Sequence, residues 1–242
     1  MRLDVFLYKN KFFQSRNKAT ASILRGEVYL NGVKILKPSF SVDSDSFNKV
    51  EILSEKSFVS IGGYKLDKAL KDFDFSVRGL ICADVGASTG GFTDCLLQNG
   101  AKKVYAVDLN DDLLCDKLKN NPDVKELTKN AKLLKKEDFD DEIDLIVADL
   151  SFISEKTVLP VFKTLLKENG HMIILIKPQF EMGEKRKFKN GIVTDVKLRE
   201  SIVKSVTSFA ESIGLCPISL TEAPIKERKN VEYLLLLSIN NR

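Results

Sequence analysis

An apolar run, Leu80-Ile81-Cys82-Ala83, leads straight into Asp84-Val85-Gly86-Ala87-Ser88-Thr89-Gly90-Gly91, and the helical apolar pattern Phe92, Cys95, Leu96, Leu97 follows at once. Strand, glycine-rich turn and helix in that order predict a ligand-handling unit. Its glycines admit a ligand close to the backbone, and the helix start offers free N–H donors. A second apolar run, Val104-Tyr105-Ala106-Val107, closes on Asp108, where an acid can accept hydrogen bonds from ribose hydroxyls. Together they point to an adenosine-bearing cofactor. Ser88 stands where the dinucleotide fingerprint G-x-G-x-x-G needs its middle glycine, and no G-x-x-x-x-G-K-[ST] loop occurs. An adenosine cofactor without phosphates fits better, and S-adenosylmethionine is the common one. A glycine turn that binds nothing is the competing reading, and Asp108 tells against it.

The rest of the chain alternates in the same way. Apolar periodicity predicts helices over 64–73, 156–166 and 196–213, and strands over 80–85, 103–108, 143–149, 171–177 and 231–238. Such alternation gives an α/β fold with a mostly parallel, doubly covered sheet. Residues 120–140 are too polar to assign. No apolar stretch approaches the roughly 20 residues of a membrane span, and no basic-then-apolar leader opens the sequence. The four cysteines, Cys82, Cys95, Cys115 and Cys216, have no paired spacing and read as reduced thiols of a cytoplasmic protein. The single histidine, His171, reads as a strand-edge residue, and no metal site is expected. Chemistry must therefore come from carboxylates and lysines.

The net charge of +4 is unevenly placed. Residues 1–60 hold ten Lys and Arg against six Asp and Glu, whereas residues 61–242 hold twenty-eight of each. Either a solvated face or a polyanion-binding module accounts for this. The basic part has its own pattern: helices over 2–7 and 16–24, the second capped by Ser15, then a hairpin of 28–30 and 33–36 about Asn31-Gly32, and a strand over 49–53. Arg16, Lys18 and Arg25 fall on or near the second helix, and Lys34 and Lys37 beside the hairpin. Arg2-Leu3-Asp4-Val5-Phe6-Leu7, Ser15-Arg16-Asn17-Lys18-Ala19 and Gly26-Glu27-Val28-Tyr29-Leu30-Asn31-Gly32 resemble the S4 RNA-binding domain. That resemblance implies RNA contacts by Arg2, Arg16, Lys18, Arg25, Lys34 and Lys37. A first domain over 1–59 and a second over 60–242 are expected, with a short connector at 57–61.

In an open α/β sheet, ligands sit beyond the carboxyl ends of the strands. Those ends carry Asp84, Asp108, Asp149 and Lys177. A lysine ending a buried strand needs a partner, and Asp149 is the natural one. The pair can be a structural ion pair or a lysine tuned toward base chemistry; spacing alone leaves both open. Gly62-Gly63-Tyr64-Lys65-Leu66, the turn over 84–94, Asp149-Leu150-Ser151-Phe152-Ile153-Ser154 and Ile176-Lys177-Pro178-Gln179-Phe180-Glu181 resemble the TlyA (hemolysin A) family of S4-bearing, FtsJ-like ribose methyltransferases.

The resemblance implies a Rossmann-like S-adenosylmethionine-dependent methyltransferase with a small N-terminal S4 domain. It implies 2′-O-methylation of a cytidine in ribosomal RNA, and the shorter type of the family implies 23S rRNA of the large subunit. It maps a catalytic tetrad onto Lys65, Asp149, Lys177 and Glu232. It places the cofactor against Asp84, Gly86, Ala87, Ser88, Gly90, Gly91, Asp108 and Asp149. The family has Ser-Arg-Gly-Gly at the connector, where this chain reads Ser60-Ile61-Gly62-Gly63. The run Lys185-Arg186-Lys187 can be a solvated loop or an RNA-backbone contact. A monomer acting on a ribosomal subunit is expected, with no membrane partner. A membrane-active factor and a catalytically dead RNA-binding or assembly factor are the alternatives.

Overall fold

The computed structural model describes residues 1–24, 26–43, 49–52, 57–182, 191–224 and 229–239. The chain divides into two compact units, Met1–Ser57 and Phe58–Arg242. In the first unit, helices α1 (Leu3–Lys9) and α2 (Arg16–Leu24) accompany strands β1 (Val28–Leu30), β2 (Val33–Lys34) and β3 (Val50–Ile52), which form an antiparallel sheet in the order β2-β1-β3. Ser15 Oγ accepts the Lys18 N–H at 3.2 Å, the local bond that starts α2. Across the two-residue turn Asn31-Gly32, Leu30 pairs with Val33. Leu3, Leu7, Ala19, Ile23 and Val28 are fully buried and form the core of this unit.

The second unit runs α3 (Ile61–Asp72), β4 (Ile81–Val85), α4 (Gly91–Gln98), β5 (Lys103–Asp108), α5 (Asp116–Lys119), β6 (Val124–Thr128), β7 (Ile143–Ala148), α6 (Glu155–Leu165), β8 (Leu166–Ile176), α7 (Pro178–Glu181), α8 (Val196–Ser212), β9 (Leu215–Glu222) and β10 (Tyr233–Ile239). The sheet order is β6-β5-β4-β7-β8-β10-β9. The pairings from β6 through β8 are parallel, and β10 runs antiparallel to both neighbours. Alternate residues of the central strands point to opposite cores. Ala83, Tyr105, Ile146 and Ile174 meet α6 and α8 on one face; Cys82, Val104, Leu145 and Ile173 meet α3 and α4 on the other. Both faces are covered, so these strands read as continuous apolar runs rather than alternating ones. On α6, Val158, Leu159, Phe162 and Leu165 are buried. Each buried side chain of this size contributes about 1.5–3 kcal/mol, so packing rather than intrinsic helicity fixes where α6 lies.

Four differences from the sequence reading have physical causes. α3 begins at Ile61 rather than 64, because Gly62-Gly63 is not a break: the first helical turn passes so close to its neighbours that a Cβ at Gly63 would lie 2.4 Å from that of Phe58. β6, inside the unassigned 120–140, is an edge strand and needs little apolar surface. β9 is the other edge, and its Pro217 falls where the β9–β10 register shifts, a place that tolerates a missing N–H. β8 starts at Leu166, directly after α6, rather than at 171. His171 lies within β8, its ring packed edge-on to Phe75 at 5.1 Å, and burial lowers its pKa. Among the described residues, no helix is long and apolar enough to cross a membrane. Arg25, Lys185, Arg186 and Lys187, expected to contact RNA, lie outside the described residues.

Candidate active site

The sheet changes direction of growth at β4, whose neighbours β5 and β7 lead away on opposite sides. A crevice opens at the carboxyl ends of such a pair. Here it is a cleft of ≈ 260 Å³, lined by the turn 86–89 with Asp84 and Gly91, and by Lys65, Asp149, Ser151 and Lys177. Asp149 follows β7, and its N–H bonds Val85 O at 3.2 Å, so it cannot leave the crevice floor. Lys177 follows β8 and precedes Pro178, which opens α7 at a position where a missing N–H costs nothing. Glu232 precedes β10; Tyr233 pairs with Ile176, so the antiparallel register brings residue 232 to the Lys177 end of β8. Lys65 comes from the first turns of α3.

These four side chains form an alternating chain of charge. Glu232 Oε2 lies 2.6 Å from Lys65 Nζ, Lys65 Nζ 3.7 Å from Asp149 Oδ2, and Asp149 Oδ1 2.5 Å from Lys177 Nζ. Lys177 also donates to Ser151 Oγ at 3.0 Å. Lys177 is 8 % exposed. Burying a cation that deeply costs several kcal/mol unless it is paired, so the formal neutrality of two lysines and two carboxylates is what lets them share the cleft.

Asp84 stands behind the glycine turn. Its Oδ2 accepts the Thr93 N–H at 2.8 Å and the Thr93 hydroxyl at 2.6 Å, tying β4 to the start of α4. Its Oδ1 is buried with no partner. Burial pushes this carboxyl up to about 7, against the opposing pull of the Thr93 bonds. At Gly86 a Cβ would lie 2.8 Å from Asp149 O and 3.1 Å from Leu150 Cδ2, so the turn packs closely against the segment that follows β7. Gly90 does not line the cleft; it is packed under Leu118 and Leu114. Asp108 borders a smaller adjoining recess with Ser88, Asn110, Glu126 and Thr128. Its Oδ2 accepts the Ser88 N–H at 2.9 Å and its Oδ1 those of Leu109 and Asn110 at 2.7 and 3.3 Å.

Several site residues escaped the sequence. Ser60, Gly62, Thr89 and Phe92 line the cleft; they fall within the motifs above, which do not single them out as site residues. Ser151 had a signal, since it follows the strand-ending Asp149 by two residues. Phe152, next to it, is 89 % exposed with φ +64°, an unfavourable backbone for an aromatic residue, and its ring lies 4.9 Å from that of Phe180. In the first unit, Arg2 and Arg16 converge on one buried carboxylate. Asp4 accepts from Arg2 Nε at 3.0 Å and from Arg16 Nε at 2.9 Å. Burial pushes the Asp4 carboxyl up, but the two arginines outweigh it and hold it below the usual range. Lys18 bonds Gln14 at 2.6 Å, Lys34 lies over the Tyr29 ring, and Lys37 is exposed.

Comparison with known proteins gives the same division of the chain. The FtsJ-like methyltransferase family model matches residues 58–238, and the S4 domain model matches residues 1–47. Hemolysin A of Brachyspira hyodysenteriae is 42 % identical over 238 residues, 97 % of this chain and 98 % of that protein. The 16S/23S rRNA (cytidine-2′-O)-methyltransferase TlyA of Mycobacterium tuberculosis is 38 % identical over 238 residues, 98 % of this chain and 89 % of that protein. A solved hemolysin-named structure from Streptococcus thermophilus has a TM-score of 0.73 at 37 % identity, over 100 % of this chain and 89 % of that one.

Proposed function

The chain belongs to the FtsJ-like methyltransferase family, in the group that joins this domain to an S4 domain, and on that premise we propose that it methylates the ribose 2′-hydroxyl of a cytidine in ribosomal RNA, using S-adenosylmethionine. The observation that carries the reading is the Glu232–Lys65–Asp149–Lys177 chain, three members of which line the same cleft as the glycine turn.

The cleft suits this cofactor. Residues 84–94 contain no lysine or arginine to neutralise phosphates, and the unpartnered Asp84 Oδ1 suits a cationic group. Asp84, Gly86, Ala87, Ser88 and Gly91 would hold the methionine part and Asp108 the ribose hydroxyls, with Gly90 shaping the turn from beneath. When bound, S-adenosylmethionine supplies a sulfonium methyl whose carbon–sulfur bond breaks, both electrons staying on sulfur, as the ribose oxygen takes the carbon. Lys177, as the neutral amine, accepts the hydroxyl proton. Asp149 holds Lys177 in place, Lys65 steadies the developing negative charge or a neighbouring phosphate, and Glu232 fixes Lys65. Positioning supplies much of the rate in such an in-line displacement. Phe152, next in sequence to the cleft-lining Ser151, offers an exposed ring on which a displaced base can stack. Arg2, Arg16, Lys18, Arg25, Lys34 and Lys37, with Lys185, Arg186 and Lys187, are the proposed contacts to RNA phosphates. The substrate on this reading is 23S rRNA in a large ribosomal subunit, and the protein acts on it as a cytoplasmic monomer.

The test is mass spectrometry of ribose methylation. Unmodified small and large subunits, incubated separately with protein and S-adenosylmethionine, should yield one new 2′-O-methylcytidine in 23S rRNA. No gain in either RNA would overturn the reading; a gain in 16S rRNA alone would overturn the choice of subunit. A second expected outcome follows from Asp84. Its folded pKa of about 7 lies above the ordinary value of 3.8, so cofactor-free protein holds a proton there as pH falls below 7. A cationic cofactor prefers the ionised form. Affinity should therefore rise as pH rises toward about 7, by up to tenfold per pH unit between about 5.5 and 7, with proton release on binding. Titration calorimetry in buffers of different ionisation enthalpy reads both effects, and a flat affinity over that window would exclude Asp84 as the responsible group.

A further inference from the structure

Lys177 Nζ is tetrahedral: one position is its bond to Cε and three remain. Asp149 Oδ1 at 2.5 Å takes one and Ser151 Oγ at 3.0 Å takes a second. One position is left. In the neutral amine the two N–H bonds point at these two acceptors, and the remaining position is the lone pair. Ser151 and Lys177 both line the cleft, so a nitrogen held at these two points presents its third to whatever occupies that space. The Phe180 ring, 5.9 Å from Nζ, bounds the lysine head further.

We propose that Ser151 is a positioning residue that, with Asp149, aims the Lys177 lone pair at the ribose hydroxyl; the inference rests on the reading of Lys177 as the proton acceptor. Asp149 alone leaves the amine free to turn about its Cε–Nζ bond, and the lone pair then divides between two directions. Lys65 cannot replace Ser151, because it is a cation and offers no acceptor. A hydroxyl is the right group here: it accepts from the amine without bringing a further charge into the cleft. The step is unchanged in its balance: the O–H bond breaks, its proton passes to Lys177 Nζ, and the oxygen keeps the electron pair with which it takes the methyl carbon.

The experiment compares Ser151→Ala, Ser151→Thr and Lys177→Ala as full-length proteins on ribosomal RNA. Ser151→Ala should lower kcat about 10- to 100-fold, the order expected when a reacting group is misaimed by an ångström or so. KM for S-adenosylmethionine and for RNA should stay within about twofold, since Ser151 fixes the amine rather than either ligand. Ser151→Thr, which keeps the hydroxyl, should recover most of kcat. Melting temperatures report on folding, and the threonine protein keeps the test decisive if the alanine protein is unstable. Wild-type kcat in Ser151→Ala, or a raised KM with kcat unchanged, while Lys177→Ala is inactive, overturns the role of Ser151 alone. Wild-type turnover by Lys177→Ala overturns the proton-acceptor reading and the role of Ser151 with it.

Discussion

Lys177→Ala is expected to lower kcat for ribose methylation by about 10²- to 10⁴-fold, the range typical of a positioned general base. Cofactor affinity should change little, because the cofactor is assigned to Asp84, the glycine turn and Asp108 rather than to Lys177. The variant should also fold. Removing the lysine strips Asp149 Oδ1 of its 2.5 Å partner, but Lys65 remains 3.7 Å from Oδ2 and keeps the carboxylate from standing alone. Loss of one member of a fully buried pair costs about 3–5 kcal/mol; Asp149 is 21 % exposed, so the penalty here falls well short of that. Single-turnover methylation with saturating protein separates chemistry from binding, and calorimetry checks the cofactor. A Lys177→Ala protein that binds cofactor and methylates at the wild-type rate would remove Lys177 from the chemistry. Loss of activity with loss of cofactor binding would instead make it a cofactor residue.

The four charged residues are scattered over 168 positions of sequence, yet two are legible for a topological reason. Asp149 and Lys177 each end a run of fully buried apolar residues, and a charge that ends such a run sits at the sheet edge where ligands bind. Glu232 is less visible, because β10 runs antiparallel and its site end is its beginning, so a strand-end rule misses it and only resemblance supplies it. Lys65 comes from a helix, where no strand rule applies. Elements that fail to read are those whose stability comes from pairing rather than from an apolar face. β6 and β9 are edge strands with half their side chains in solvent. Ser151 was in view within a quoted motif, but its role depends on a 3.0 Å contact that no spacing encodes.

Gly90→Ala is the substitution expected to do most damage to the fold at the site, and Gly79→Ala is its control. Both glycines have φ in the left-handed region, +92° and +76°, so both alanines carry about 1–2 kcal/mol of backbone strain. They differ in what a Cβ meets. At Gly79 nothing lies within 4 Å; at Gly90 it would stand 2.1 Å from Leu118 Cδ1 and 2.9 Å from Leu114 Cδ2. Leu118 is 1 % exposed on α5, so its side chain has to shift within packed surroundings to make room. Overpacking of this kind adds about 1–3 kcal/mol. At roughly 2–4 °C per kcal/mol for a domain of this size, Gly79→Ala should lower the melting temperature by about 2–8 °C and Gly90→Ala by about 4–20 °C. Binding should separate them more sharply. Gly90 O receives the Asp94 N–H at 2.8 Å in the first turn of α4, beside the Thr93 N–H that holds Asp84. If Leu118 does not yield, the turn and the start of α4 must move, and the wall formed by residues 86–89 moves with them. Cofactor affinity should then fall by tenfold or more in Gly90→Ala and stay at the wild-type level in Gly79→Ala, which lies at the far end of β4. Equal melting shifts and equal affinities in the two proteins would mean that Leu118 repacks freely and that Gly90 is required for its backbone angle alone.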